Sequence, residues 1–84
     1  MDLYPVKLEG GAYQIFLEVP RDKIINLQAF FEIYEGLAAV RTENKAESIV
    51  SLLTTESMLE DCLSALRALA PEIPWRDASQ VELK

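Results

Sequence analysis

The chain has no histidine and a single cysteine, Cys62, among its 84 residues. The first absence removes the commonest general base and the commonest metal ligand. With one thiol, no internal disulfide, thiolate zinc site or iron–sulfur cluster can form within one chain. Cys62 itself sits at the centre of an apolar helical stripe. A reactive thiol needs an electropositive, partly open setting, so Cys62 reads as a small buried hydrophobe. No catalytic or metal-binding residues and no cofactor are expected, and the chain is not read as an enzyme.

The remaining polar side chains suggest contact rather than catalysis. Glu32 and Glu35 lie near the C-terminal end of a helical segment, where the dipole disfavours anions. They face either solvent or an arginine, such as Arg41 or one on a partner. Tyr34, Glu35 and Gly36 form a turn that is the candidate small-molecule site. Gly36 itself meets a backbone need, and Gly10-Gly11 lacks the longer pattern of a phosphate-binding loop. Arg41 shares strand parity with Leu37 and Ala39. It lies either beside Phe16 on an open sheet face or along an edge, where charge discourages aggregation. Trp75-Arg76 reads as an interface anchor, since both types are enriched in binding hot spots, or as a Trp closing one end of the core. The candidate interface is therefore Phe16, Glu18, Arg41, Trp75 and Arg76.

These residues must be held by elements of two periods. Residues 12–19 alternate, with Tyr13, Ile15, Leu17 and Val19 on one face and Gln14, Phe16 and Glu18 on the other. This is a strand whose first set faces the core. The preceding Gly10-Gly11 marks a hairpin, a bulge or the end of a loose arm, with the choice left open. A helix is expected over about 22–35, with Asp22 as N-cap and Gly36 just past its end. Ile24, Leu27, Phe30, Phe31 and Tyr34 form its apolar stripe, and Ile25 and Ile33 fall outside it. Residues 37–43 and 48–53 read as two strands joined by a turn at Asn44-Lys45-Ala46. A second helix follows, with Ser57 and Glu60 spaced as a capping box and Cys62, Leu63, Leu66 and Leu69 on one face. Pro71 stops it. Residues 73 to about 78 read as a fourth strand, placed at an edge by Pro74, which has no N–H to donate.

The formal charge is -6, with 14 acidic and 8 basic residues. The basic residues are scattered, so no nucleic acid or anionic membrane partner is expected. No apolar run approaches the roughly 20 residues of a membrane-spanning helix. The N-terminal residues lack a secretory pattern, and a lone cysteine suits a reducing compartment, so a cytoplasmic location is expected. The whole of 1–84 reads as one domain, with an arm over about 1–11, a core over about 12–78 and a loose tail over about 79–84.

The order strand, helix, strand, strand, helix, strand gives an α+β fold. Right-handed crossovers and two one-faced helices favour a ferredoxin-like β-α-β-β-α-β two-layer sandwich. Its four-stranded antiparallel sheet has order 4-1-3-2, with both helices on one face and the other face bare. The stretch Glu32-Ile33-Tyr34-Glu35-Gly36-Leu37-Ala38-Ala39-Val40-Arg41-Thr42, with Val19-Pro20-Arg21-Asp22 and Ile24 before it, resembles a small bacterial family. That family is the domain of unknown function numbered four-nine-one-one. The resemblance covers about residues 13–70, and its most specific part is Tyr34 to Ala38. Family members often carry a basic residue where Glu18 stands and a glycine within the 44–48 turn, and this chain has neither. The resemblance supports the fold and implies no activity or catalytic residues. Two functions are then in view. One is a non-enzymatic interaction module that forms a homodimer, or meets another protein, through its open sheet face or an edge strand. The other is a small-molecule-binding regulatory domain similar to the amino-acid-sensing ACT domains, with its site near the first strand–helix junction and the Tyr34–Gly36 turn.

Overall fold

The structure is a computed structural model that describes residues 3–34 and 36–79. In chain order the elements are β1 (Val6–Lys7), β2 (Ala12–Glu18), α1 (Ile24–Ile33), β3 (Ala39–Asn44), β4 (Ile49–Thr55), α2 (Leu59–Leu69) and β5 (Arg76–Asp77). Among the described residues the fold is α+β, with two helices and an open antiparallel sheet of five strands. The sheet runs β1-β2-β4-β3, and β5 also pairs with β2. β1 takes Tyr13 and Gln14, while β5 takes Leu17 and Glu18. The two short strands therefore share one edge of β2, end after end. Four strands were expected, and the fifth comes from residues 6–7. Gly10 and Gly11, both at positive φ, let the chain turn back from β1 into β2.

Strand alternation decides which residues reach the core. Ile15, Leu17 and Val19 are fully buried, as are Val50 and Leu52, which lie opposite Leu17 and Ile15 on β4. Leu27 and Phe31 of α1 and Cys62, Leu63 and Leu66 of α2 complete the same cluster. Both helices thus bury their apolar sides against residues of one strand parity. Fully burying each such side chain contributes about 1.5–3 kcal/mol before chain entropy is subtracted.

The opposite face is not bare. Phe16 is only 8% exposed and packs in a second, smaller cluster with Ile49, Ala78 and Val6. The side chains of Ile49 on β4, Val6 on β1 and Ala78 just past β5 pack around it, and the Ala78 amide donates to the Phe16 carbonyl at 2.7 Å.

Several local expectations change. Asp22 caps nothing, because the Lys23 amide donates to the Pro20 carbonyl at 2.8 Å and α1 is entered through a 3-10 turn at Arg21–Lys23. The capping box at Ser57 and Glu60 does not form either. A 3-10 turn at Glu56–Met58 leads into α2, and the Ser57 hydroxyl lies 3.2 Å from that of Thr55. The fourth expected strand shrinks to Arg76–Asp77. The Trp75 amide donates to the Ile73 carbonyl at 2.8 Å, closing a tight turn around Pro74 before pairing can begin. In the β3–β4 turn the left-handed residue is Ser48, at φ 60, and not Asn44. Asn44 instead accepts the Glu47 amide on its side-chain oxygen at 3.1 Å. The last residues of the expected tail, 80–84, lie outside the described residues. Among the described residues, no helix is long and apolar enough to cross a membrane.

Candidate functional site

β3 forms the edge of the sheet away from β1 and β5. Arg41 lies opposite Ser51 on β4, and Ser51 lies opposite Phe16 on β2. Arg41 and Phe16 therefore share one row of the sheet, but Ser51 separates them. Ser51 is buried and ties three strands together. Its hydroxyl donates to the Glu43 carboxylate at 2.5 Å and accepts from the Gln14 amide nitrogen at 3.3 Å. Glu43 thus points to the same side as Arg41. The two residues share strand parity, and the β3–β4 register shifts between Thr42 and Asn44, a bulge at Glu43. Arg41 is exposed, with no salt bridge among the described residues. β3 therefore presents a positive and a negative side chain two residues apart.

The second feature is an open cleft of about 630 Å³ where β2 ends, between the β3–β4 turn and β5. Its walls include Pro20, Ser48 and Pro74, and its charges are Glu18, Glu47, Arg76 and Asp77. Glu18 and Arg76, two of the candidate interface residues, are cross-strand partners. Their ion pair measures 2.5 Å, with side chains 44% and 75% exposed. Glu47 accepts from the Asn44 side-chain amide at 3.4 Å. Asp77 accepts from the Ser79 amide and hydroxyl and from the Tyr4 amide. Each of the three carboxylates is already engaged within the chain, so a ligand would have to displace internal partners.

The other candidate residues fare differently. Trp75 is fully buried, and its indole N–H donates to the Leu66 carbonyl at 2.6 Å, so it belongs to the core and not to a contact surface. Phe16 is likewise withdrawn from the surface. Tyr34 is exposed, with its ring 4.7 Å from that of Phe30, and Gly36 takes φ +85 after the helix end. Glu35 lies outside the described residues. A small cleft of about 230 Å³ nearby in sequence is lined by Gln28, Phe31, Glu32 and residues 38–40, and not by Tyr34 or Gly36. Burial pushes the Cys62 thiol up to about 11, the direction opposite to a reactive thiolate. Among the described residues no group of acidic, histidine and cysteine side chains is arranged to hold a metal ion.

Glu43 and Ser51 were not singled out from sequence. The signal for Glu43 was there, since Arg41 and Glu43 share parity on a strand. Ser51 carried none, because a serine in a strand reads as solvated until its neighbours are known.

One family's sequence pattern matches residues 17–73; the family is described as Domain of unknown function (DUF4911). No curated protein and no solved structure matches the chain.

Proposed function

The chain belongs to the DUF4911 family, to which no activity is assigned, and we propose from the geometry that it is a non-enzymatic interaction module that pairs with a second copy through β3. The observation carrying this reading is the charge order on that edge. An exposed six-residue edge strand is a template for pairing with another chain. In an antiparallel pair about a two-fold axis at Thr42, Arg41 of each copy stands opposite Glu43 of the other. Opposite charges in that position favour pairing, and like charges oppose it. An axis at Arg41 would set the two guanidinium groups against each other, so the charges also select the register.

The fold-level part of the proposal is the ferredoxin-like sandwich. It is supported by β5 on β2, β2 on β4 and β4 on β3, all antiparallel, with β1 as an addition to the β2 edge. A cytoplasmic location belongs to the same reading, supported by a lone, buried, unpaired Cys62.

Sedimentation at micromolar concentration tests the pairing. The native chain is expected to be dimeric or larger. Arg41→Glu places Glu opposite Glu43 and should lower the mass. Adding Glu43→Arg restores opposite charges and should restore association. A monomeric native chain, or a mass unchanged by Arg41→Glu, overturns the proposal.

A second reading is favoured by the cleft beside Val19 and Pro20, where the first strand meets the first helical turn. It is the ACT-like small-molecule-binding domain. A thermal-shift screen with amino acids and nucleotides tests it, because a ligand bound only by the native state must raise stability. No shift at millimolar ligand would remove it.

A further inference from the structure

Glu32 lies in the last turn of α1, where the helix dipole disfavours anions. No basic residue shares that turn, and among the described residues Glu32 has no salt bridge. It is exposed on the flank of α1 beside β3, at the cleft of about 230 Å³ that it lines with Gln28, Phe31 and residues 38–40. Beyond the other end of β3, Lys45 opens the turn to β4. It is exposed and has no salt bridge among the described residues. Arg21, just before α1, donates to the Lys45 and Ala46 carbonyls at 3.4 and 3.5 Å, which ties this turn to the helix layer. Glu47 of the same turn bonds Asn44 and lines the cleft at the end of β2 instead. The edge is thus acidic at one end and basic at the other. The six residues of β3, roughly 20 Å when extended, keep Glu32 and Lys45 of one chain apart.

We infer, resting on the β3 pairing proposed above, that the cleft beside Glu32 is a half-site completed by Lys45 of a second copy of the chain. An antiparallel pair about an axis at Thr42 sets residues 44–46 of each copy alongside residues 40–38 of the other. Residues 38–40 are the strand wall of the cleft. The turn carrying Lys45 therefore closes the cleft mouth and brings the ammonium to the Glu32 carboxylate, with the Gln28 side-chain carbonyl as a second acceptor. Parallel pairing would set like charges side by side. Opposite charges at opposite ends of one edge strand select an antiparallel second copy as the occupant. The two-fold axis makes the contact twice, once at each end of the seam.

Sedimentation equilibrium of the full chain at low and high ionic strength tests the inference. A single exposed ion pair is weak and screened by salt. Doubled by symmetry, its reversal in Lys45→Glu or Glu32→Lys should weaken the dimer about tenfold at low salt, and less at high salt. The two reversals together restore opposite charges and should restore the native dissociation constant. Glu32→Lys carries a second signature. A cation suits the last turn of a helix, so in the monomeric Arg41→Glu background this variant should unfold in urea no more easily than its parent. A residue that serves only the fold would lose stability and association together.

The inference is overturned if a native dimer that responds to Arg41→Glu keeps its dissociation constant in either single reversal, or if the double reversal fails to restore it. A monomeric native chain, or a mass unchanged by Arg41→Glu, overturns the β3 pairing, and this contact falls with it.

Discussion

Trp75 reaches the C-terminal turn of α2 from nine residues away, its indole N–H donating to the Leu66 carbonyl at 2.6 Å in the fully buried core. That carbonyl lies in the last helical turn, where partners within the helix run out. The Ala70 amide, which would ordinarily reach it, donates to Arg67 instead. The indole therefore satisfies an acceptor that would otherwise be buried without a partner. Trp75→Phe keeps most of the apolar volume but orphans the carbonyl, and should cost about 1–3 kcal/mol. Trp75→Ala adds a cavity and should cost about 3–5 kcal/mol. Urea unfolding followed by circular dichroism would measure both. Equal losses for the two variants would show that the hydrogen bond alone matters there, and no loss for Trp75→Phe would show that packing alone does.

Among the described residues, two positions take the left-handed backbone region outside the first turn: Gly36 at φ +85 and Ser48 at φ 60. An L side chain in that region costs about 1–2 kcal/mol. A Cβ added at Gly36 would meet nothing within 4 Å, so Gly36→Ala should lose about 1 kcal/mol through conformation alone. At Ser48 the strain is already present. Ser48→Gly relieves it but frees the unfolded chain, so the net gain should be at most about 1 kcal/mol. Opposite signs in thermal or urea unfolding are the expected result. A destabilised Ser48→Gly would mean that its side chain holds the turn.

Much of the fold could be read from period. The alternation of Ile15, Leu17 and Val19 and the stripe of Leu27 and Phe31 identified the main core, because burial follows geometry that local sequence dictates. Ends and edges were harder to read. Asp22 and Ser57 have the right chemistry for capping, but each helix is entered through a 3-10 turn closed by backbone bonds. Phe16 and Trp75 looked like contact residues because aromatic side chains favour both cores and interfaces. Only the placement of Ala78 and the Leu66 carbonyl decides between the two. Glu18 and Arg76 lie 58 residues apart, so nothing local could announce their pairing.

That ion pair is close but wet. Both side chains are well exposed, and exposed pairs contribute little because water and salt screen them. Arg76→Ala should therefore change stability by less than about 1 kcal/mol, and the change should shrink as salt is added. Ser51→Ala makes the useful contrast. It removes a buried hydroxyl that links Gln14 and Glu43, with one bond to a charged group. Its cost should be larger, about 1–3 kcal/mol, and less sensitive to salt. Unfolding at low and high ionic strength would separate the two. A salt-insensitive loss of several kcal/mol for Arg76→Ala would contradict this ranking.

Cys62 gives the chain an alkaline limit. Burial among Leu63, Leu66 and the sheet residues raises the thiol from 9.0 to about 11. Between these values the unfolded chain has lost the thiol proton and the folded chain retains it. The folded state binds more protons there, so unfolding free energy falls as pH rises. The contribution is full below about pH 9 and is lost on approaching pH 11. Each unit of that shift corresponds to about 1.4 kcal/mol, so the total loss is up to about 3 kcal/mol. Tyrosines and lysines titrate in the same range, which makes the difference between the native chain and Cys62→Ala the informative quantity. The variant should be less stable at pH 8, because a small cavity replaces sulfur. The native advantage should then narrow by pH 11. The same burial makes thiol modification wait on opening of the core, so labelling by a thiol reagent should accelerate with urea in step with unfolding. A stability difference that stays constant from pH 8 to 11, with rapid labelling in the absence of denaturant, would place Cys62 within reach of solvent.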